Sequence, residues 1–345
     1  MIISIQSKVV KGPWGGGNLF AKNLINYLKA NNFEVISHLY NRKIDLILMT
    51  DPLKNSSSTN YSFNEIKNYK KFINPNVKIV HRINECDERK NTNYVNNEII
   101  KSNYVADKTV FVSNWLKNLY ESIGLENNNS VILSGSDRKI FNNLNKKKWD
   151  RKTNLKLVTH HWGTNVNKGF NIYSFLDEAI YINSIKNVEF TYIGNLPKNF
   201  QFKATNHIQP LEGKKLANEL KKHHIYLTAS INEPSGNHHI EGAQCGLPIL
   251  YLNSGGVVEY CQKYGVPFDN QNDFLNSLEE ISEKYEIYFS KVLEYPNDSN
   301  LMSFSYMQLF NQLNEINEEN KHNQNVKFNL YILKYFLNKI KFKLI

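Results

Sequence analysis

The sequence predicts an α/β protein of two similar parallel-sheet domains facing one cleft, followed by C-terminal helices. Three observations carry that expectation. Short apolar runs alternate with amphipathic helical patterns along the first half, as expected of strands joined by crossover helices. The pattern breaks over "NNLNKKKWDRKTN" (142–154), which is polar, charged and without periodicity and reads as a linker. The alternation then restarts, and a chain of 345 residues is too long for one ordinary core.

In order, "IISIQS" (2–7) is a strand, and the glycine loop "GPWGGGN" follows it. "LFAKNLINYLKANN" places Leu19, Phe20, Leu24, Ile25 and Leu28 on one helical face. "FEVISHLY", "DLILMT", "VKIVHRI", "TVFVS" and "VILSG" are strand candidates, with helices at "NEIKNYKKFI" and "NWLKNLYESIG" between them. After the linker come the strand "LKLVTHHW", the helix "FNIYSFLDEAIYIN", the strand "VEFTYIG" and the helix "GKKLANELKKHH". The strands "IYLTAS" and "PILYLNS" follow. Ligands of open parallel sheets bind beyond the carboxyl ends of the strands, so two such sheets make a cleft between them.

One stretch concentrates chemistry there. "EPSGNHHIEGAQCGLPIL" (233–250) has two glutamates eight positions apart around a Pro-Ser-Gly turn. Glu233 falls in the loop after a strand. Asn237 reads as the N-cap of a short helix, with Glu241 one turn inside it. Backbone N–H groups around Gly236, Asn237 and His238 then form a helix N-terminus suited to phosphate. A carboxylate beside it can accept two hydrogen bonds from a vicinal diol such as ribose, while the other takes sugar hydroxyls. Gly12, Gly15, Gly16 and Gly17 do not spell G-x-G-x-x-G. Bare backbone at Gly16 and Gly17 would still let a phosphate or sugar approach.

The stretch resembles the E-x7-E signature of GT-B glycosyltransferases, especially glycosyltransferase family 4 (group 1 type). Further segments match in the family's order: "GGGN" (15–18), "ADKTVFVSNWLKNLY", "VILSGSDRKIF" and "THHWGTNVNKGF" with Lys168-Gly169 as its Lys-Gly pair. They span Ile2 to about Gly265. The resemblance implies a GT-B fold and retaining, metal-independent transfer from a nucleotide-sugar. Residues 1–145 would be an acceptor domain, 146–300 the donor domain, and 301–320 a helix crossing back to the first. Lys168 would bind the donor diphosphate, Glu241 the ribose and Glu233 the transferred sugar. His81, at a strand end in "VKIVHRINECDERK", would face the reacting sugar. The family's Arg several residues before the Lys has no counterpart. His160, His161, Trp162, Gly163, Thr164 and Asn165 stand there, and Thr164 and Asn165 could replace it by hydrogen bonding.

The rest of the sequence narrows the function classes. A formal charge of +10 suits polyanions, anionic membranes or phosphorylated small molecules without choosing among them. No nucleic-acid motif accompanies it, so no nucleic-acid partner is expected. The three cysteines, Cys86, Cys245 and Cys261, form no CxxC pair, which argues against a disulfide framework or zinc site and for a reducing compartment. No Asp-x-Asp triplet follows a strand, and the pairs His160-His161, His223-His224 and His238-His239 should each point apart, so neither metal nor cofactor is expected. The first residues read as a strand rather than a signal peptide, and no transmembrane helix is expected.

Residues 321–345 form a basic tail: after Glu319 there are six lysines and no acid. Within 327–345, Lys327, Lys334, Asn338 and Lys341 share a helical stripe, so the tail could lie on an anionic membrane or pack on the protein. The expected partners are therefore a nucleotide-sugar donor, a glycan or lipid-linked acceptor and an anionic membrane surface. The expected setting is bacterial surface polysaccharide or lipopolysaccharide assembly, in the cytoplasm or peripheral on the inner face of its membrane. A noncatalytic nucleotide- or glycan-binding protein and a nucleotide-sugar epimerase remain open alternatives.

Overall fold

The computed structural model describes residues 1–12, 15–53, 56–125 and 128–318, with side chains to 315. The basic tail 321–345 lies outside the described residues. Two six-stranded, all-parallel sheets form the frame.

The first sheet has the order β2-β1-β3-β4-β5-β6. Its strands are β1 (Ile2–Ile5), β2 (Glu34–Ile36), β3 (Leu46–Met49), β4 (Lys78–Ile83), β5 (Lys108–Phe111) and β6 (Asn129–Val131). β6 ends where the "VILSG" run begins. The second sheet, β12-β11-β10-β7-β8-β9, comprises β7 (Leu155–His161), β8 (Val188–Gly194), β9 (Asn206–Ile208), β10 (Ile225–Thr228), β11 (Ile249–Leu252) and β12 (Gly265–Phe268). β9 and β12 occupy its two edges and were not evident in the sequence. β9 is only three residues long, and Pro267 inside β12 is tolerated because an edge strand need not donate from every residue.

Helices cover both faces. In the first domain α1 (Gly15–Ala30) buries Phe20, Ala21, Leu24 and Leu28 on the sheet. The glycine run is thus the first turn of α1, not a loop before it. Next come α2 (Phe63–Phe72), which starts with a Ser62/Glu65 capping box, the single turn α3 (Asp87–Lys90), α4 (Val95–Asn103) and α5 (Asn114–Ser122). In the second domain α6 (Phe170–Tyr181), α7 (Gly213–Leu220), α8 (Asn237–Gln244), α9 (Val257–Cys261), α10 (Gln271–Glu283) and α11 (Tyr285–Val292) surround the sheet.

The last described helix, α12 (Ser299–Glu318), returns to the first domain. Its Met302, Tyr306, Phe310 and Leu313 join the α1 cluster, with the Tyr306 and Phe20 rings 5.3 Å apart, edge to face. The stretch read as a linker is anchored rather than free: Lys146 Nζ donates to the His223 carbonyl, and Trp149 packs edge-on against Tyr285. Burial lowers the Lys146 ammonium to about 8. Among the described residues no helix is long and apolar enough to cross a membrane.

The two domains meet along their cleft edges. The Tyr260 hydroxyl of α9 donates to the Val112 carbonyl and accepts from the Ser134 amide. Glu259, on the same helix, accepts from the Asn114 and Trp115 amides and so caps α5 from the opposite domain. Gly256 allows this approach: a Cβ there would lie 2.1 Å from the Pro234 carbonyl and 2.5 Å from Ser113 Oγ.

Candidate active site

The carboxyl ends of β7 and β10 bury a group of polar side chains, Thr159, His160, His161, Thr228, Ser230 and Glu233. Glu233 is in the loop after β10, and Glu241 is inside α8, as the spacing suggested. The cap of α8 differs from expectation. Gly236 is the N-cap, at φ +82°, and Asn237 is the first helical residue. A Cβ on Gly236 would come within 2.7 Å of the His238 ring, so the turn needs glycine.

Asn237 instead reaches the other domain: a Cβ on Gly16 would lie 3.2 Å from its side-chain amide carbon, whereas Gly17 faces open space. The first turns of α1 and α8 therefore converge across the cleft. Helix N-termini carry partial positive charge and free amides, so this meeting point favours an anion.

Lys168 ends a single 3-10 turn (Val166–Lys168), and Gly169 joins that turn to α6 at φ +102°. A Cβ on Gly169 would clash with Ala229 at 2.5 Å, so the Lys-Gly pair is dictated by the passage of the chain under the end of β10. Lys168 Nζ is paired with Glu233 Oε2. Asn165 spends its side-chain oxygen on the Asn167 amide, 2.8 Å away, and Thr164 is exposed. Neither bonds another predicted site residue.

The second cation beside Glu233 comes from the first domain. Arg89, in α3, donates from Nε to Glu233 Oε1 at 3.1 Å, and from Nη1 to both Glu85 oxygens at 3.0 and 2.8 Å. Glu233 is buried, which opposes ionisation, but Lys168 and Arg89 outweigh burial and hold its carboxyl well below the usual range. Two backbone contacts tie the same loops together: Asn167 Nδ2 donates to the Arg89 carbonyl at 3.3 Å and Asn232 Nδ2 to the Glu88 carbonyl at 3.5 Å.

Glu241 is buried and bonded through Oε2 to His160 Nε2 at 2.8 Å; the other ring nitrogen of His160 meets the Tyr226 hydroxyl at 3.0 Å. His238 Nε2 meets Thr228 Oγ1 at 2.8 Å. Two of the three histidine pairs converge on His238: the ring centroids of His161 and His239 lie 4.6 and 5.0 Å from it. Burial lowers the His161 and His238 imidazoles well below their ordinary value, and His239 to about 3. Among the described residues, no three of His, Cys, Asp and Glu are arranged to hold a metal ion.

His81 lies inside β4 rather than at its end, because Arg82 and Ile83 continue the ladder with β5, on the opposite side of the cleft. It is fully buried, with Nδ1 2.7 Å from Asn103 Oδ1, while Nε2 has no partner among the described residues. Burial lowers its imidazole to about 4. His81, Gly16, Gly17, Asp51 and Arg82 line a cavity of about 540 Å³ at the carboxyl ends of β1, β3 and β4, which Trp162 of the second domain helps close. The structure thus brings Lys168 to Glu233 and Gly16 to Asn237, and it holds His238 and Glu241 on α8. His81 shares its cavity with Gly16, Gly17, Glu85 and Arg89. Sequence reasoning missed Arg89, Glu85 and His160. The i,i+4 spacing of Glu85 and Arg89 marked a local pair, but nothing marked its reach to Glu233.

No family model and no curated protein matches the chain. Solved structures do. The chain resembles sucrose-phosphate synthase from Thermosynechococcus elongatus at 15% identity, with 90% of this chain and 98% of that one covered and a TM-score of 0.64. Anabaena HepE, solved with UDP and glucose, matches at 12% identity over 90% and 99% of the two chains, with a TM-score of 0.66. An alpha-glucosyltransferase solved with UDP and a 13-mer DNA matches at 13% identity over 90% and 98%, with a TM-score of 0.59. The architecture is that of the GT-B glycosyltransferases, two parallel-sheet domains flanking a cleft.

Proposed function

We propose that the chain is a nucleotide-sugar-dependent, retaining glycosyltransferase of the family 4 type, working without a metal ion. The observation that carries this reading is the pairing of Lys168 with buried Glu233 beside the α8 N-terminus, with Glu241 one turn further inside. The UDP complexes of the structural neighbours support a nucleoside diphosphate as the donor's leaving group.

In this reading Glu241 accepts the ribose hydroxyls, with His160 fixing its carboxylate. Lys168 and the free amides of Gly236, Asn237 and His238 neutralise the diphosphate. Glu233 takes hydroxyls of the transferred sugar. The bond from the anomeric carbon to the diphosphate oxygen breaks, and its electron pair leaves with the phosphate. The acceptor hydroxyl attacks on the same face and passes its proton to that phosphate oxygen. His81, neutral at physiological pH, offers its unpartnered Nε2 to the sugar or the acceptor. Gly16 and Gly17 leave room for the donor beside the α1 N-terminus, and Thr164 and Asn165 flank the Lys168 turn. The acceptor is proposed to be a glycan or lipid-linked glycan of surface polysaccharide assembly, and the 327–345 tail to hold the chain at an anionic membrane face.

The test is calorimetric binding of UDP, GDP and their sugar conjugates to wild type and Glu241→Ala. One nucleotide should bind, and the variant should lose it by about 10- to 100-fold, the worth of a charge-assisted hydrogen-bond pair. Absence of binding by wild type would sink the reading and leave a noncatalytic protein on a transferase fold.

A further inference from the structure

The transferase resemblance leaves one cation of the diphosphate site without a counterpart near Lys168. The structure supplies a guanidinium there from the other domain. Arg89 lies 144 residues from Glu233 in sequence and 3.1 Å from it in space. Lys168 and Arg89 grip opposite oxygens of the one Glu233 carboxylate. Lys90 lies 3.7 Å from Glu85 in the same cluster, so three cations face two carboxylates. Arg89 is thus shared between carboxylates of the two domains. Arg89 also has donors to spare: Nε serves Glu233 and Nη1 serves Glu85, which leaves Nη2 uncommitted among the described residues.

We infer that Arg89 is a donor-binding residue that replaces the missing second-domain arginine and grips the phosphate next to the transferred sugar from across the cleft. The inference rests on the proposed transferase reading. Glu233 holds Lys168 and Arg89 together, at the place between them that the phosphate's charge would take. When the diphosphate enters, both cations turn to it, and Glu233 is released to take sugar hydroxyls. Because Lys168 and Arg89 belong to different domains, the diphosphate bridges the cleft. A guanidinium suits this task, since its planar fork can keep Glu85 on one edge while presenting another to phosphate. A nucleoside monophosphate lacks the distal group and cannot make this bridge.

The experiment compares UDP with UMP and GDP with GMP by calorimetry on wild type, Arg89→Gln and Arg89→Lys, with folding of each variant checked by thermal melting. Arg89→Gln should weaken the preferred diphosphate by about 10- to 100-fold and leave its monophosphate within about twofold. Arg89→Lys, which keeps the charge but not the fork, should fall between the two proteins. Equal weakening of both nucleotides would make Arg89 a purely structural clasp and overturn the inference, as would no weakening of either. If wild type binds none of the four nucleotides, the donor-site reading itself fails, a result distinct from those two. Should Arg89→Gln fail to fold, Arg89→Lys alone decides by the same difference between diphosphate and monophosphate.

Discussion

Lowering the pH from about 7 to about 5.5 should destabilise the protein through its buried imidazoles. Burial lowers His81 and His223 to about 4 and His239 to about 3, against an ordinary value of 6.5. In the unfolded chain each binds a proton below about 6.5, while in the fold each stays neutral. The stabilisation is therefore complete above that pH and drains away as pH falls towards the folded-state values. Between about pH 7 and about pH 5.5, each of the three costs about 1.2 kcal/mol, together about 4 kcal/mol. His161 and His238 shift in the same direction and add to the loss. Glu233 does not enter this window, because its held-down carboxyl loses stability only at or below the usual carboxylate range. The assay is urea unfolding at the two pH values, with the slope of free energy on denaturant checked for constancy. His223, hydrogen-bonded to the Glu219 carbonyl and remote from the cleft, supplies one contribution that can be removed without touching the candidate site. His223→Asn should reduce the pH difference by about 1.2 kcal/mol. Stability unchanged or higher at about pH 5.5, or a variant with the full wild-type difference, would refute the reasoning.

Three other outcomes can be checked. Gly169→Ala puts a Cβ 2.5 Å from Ala229 at φ +102°, so it should cost about 2–3 kcal/mol in urea unfolding and weaken diphosphate binding by displacing Lys168; a neutral result would contradict the packing under β10. Glu259→Ala removes the cross-domain cap of α5 and, for a half-exposed carboxylate, should cost about 1 kcal/mol and raise the radius of gyration measured by small-angle scattering; an unchanged radius would mean that this contact does not hold the cleft. Deleting residues 327–345 should abolish flotation with anionic liposomes, and flotation equal to the full chain would end the proposed membrane role of the tail.

Much of the fold was legible because its causes are local. The period of the apolar residues marked ten strand candidates and helices between them, in the order the two sheets show. The break at 142–154 separated the two sheets, although Lys146 and Trp149 show that polar composition hid an anchored segment. Short edges escaped: β9 has three residues, and β12 carries Pro267. The N-cap of α8 was misplaced by one residue because Asn is an excellent cap in isolation, whereas the cleft needed Gly236 at positive φ to clear the His238 ring.

The sequence by itself determined the alternation of strand and helix, the glycines at forced turns, and the placing of Glu233 in a loop, Glu241 in a short helix and Lys168 before a glycine turn. Each depends on backbone geometry or on spacing within a few residues. Tertiary structure alone decided which charges meet. It brought Arg89 onto Glu233 from the other domain, paired Glu241 with His160, gathered His161 and His239 around His238, and set the first turns of α1 and α8 against each other. A side chain's charge is written in the sequence, but its partner is chosen by burial. Once water is excluded, each buried ion must find an opposite charge or a hydrogen bond, and the nearest available group lies wherever the two sheets have brought their edges together.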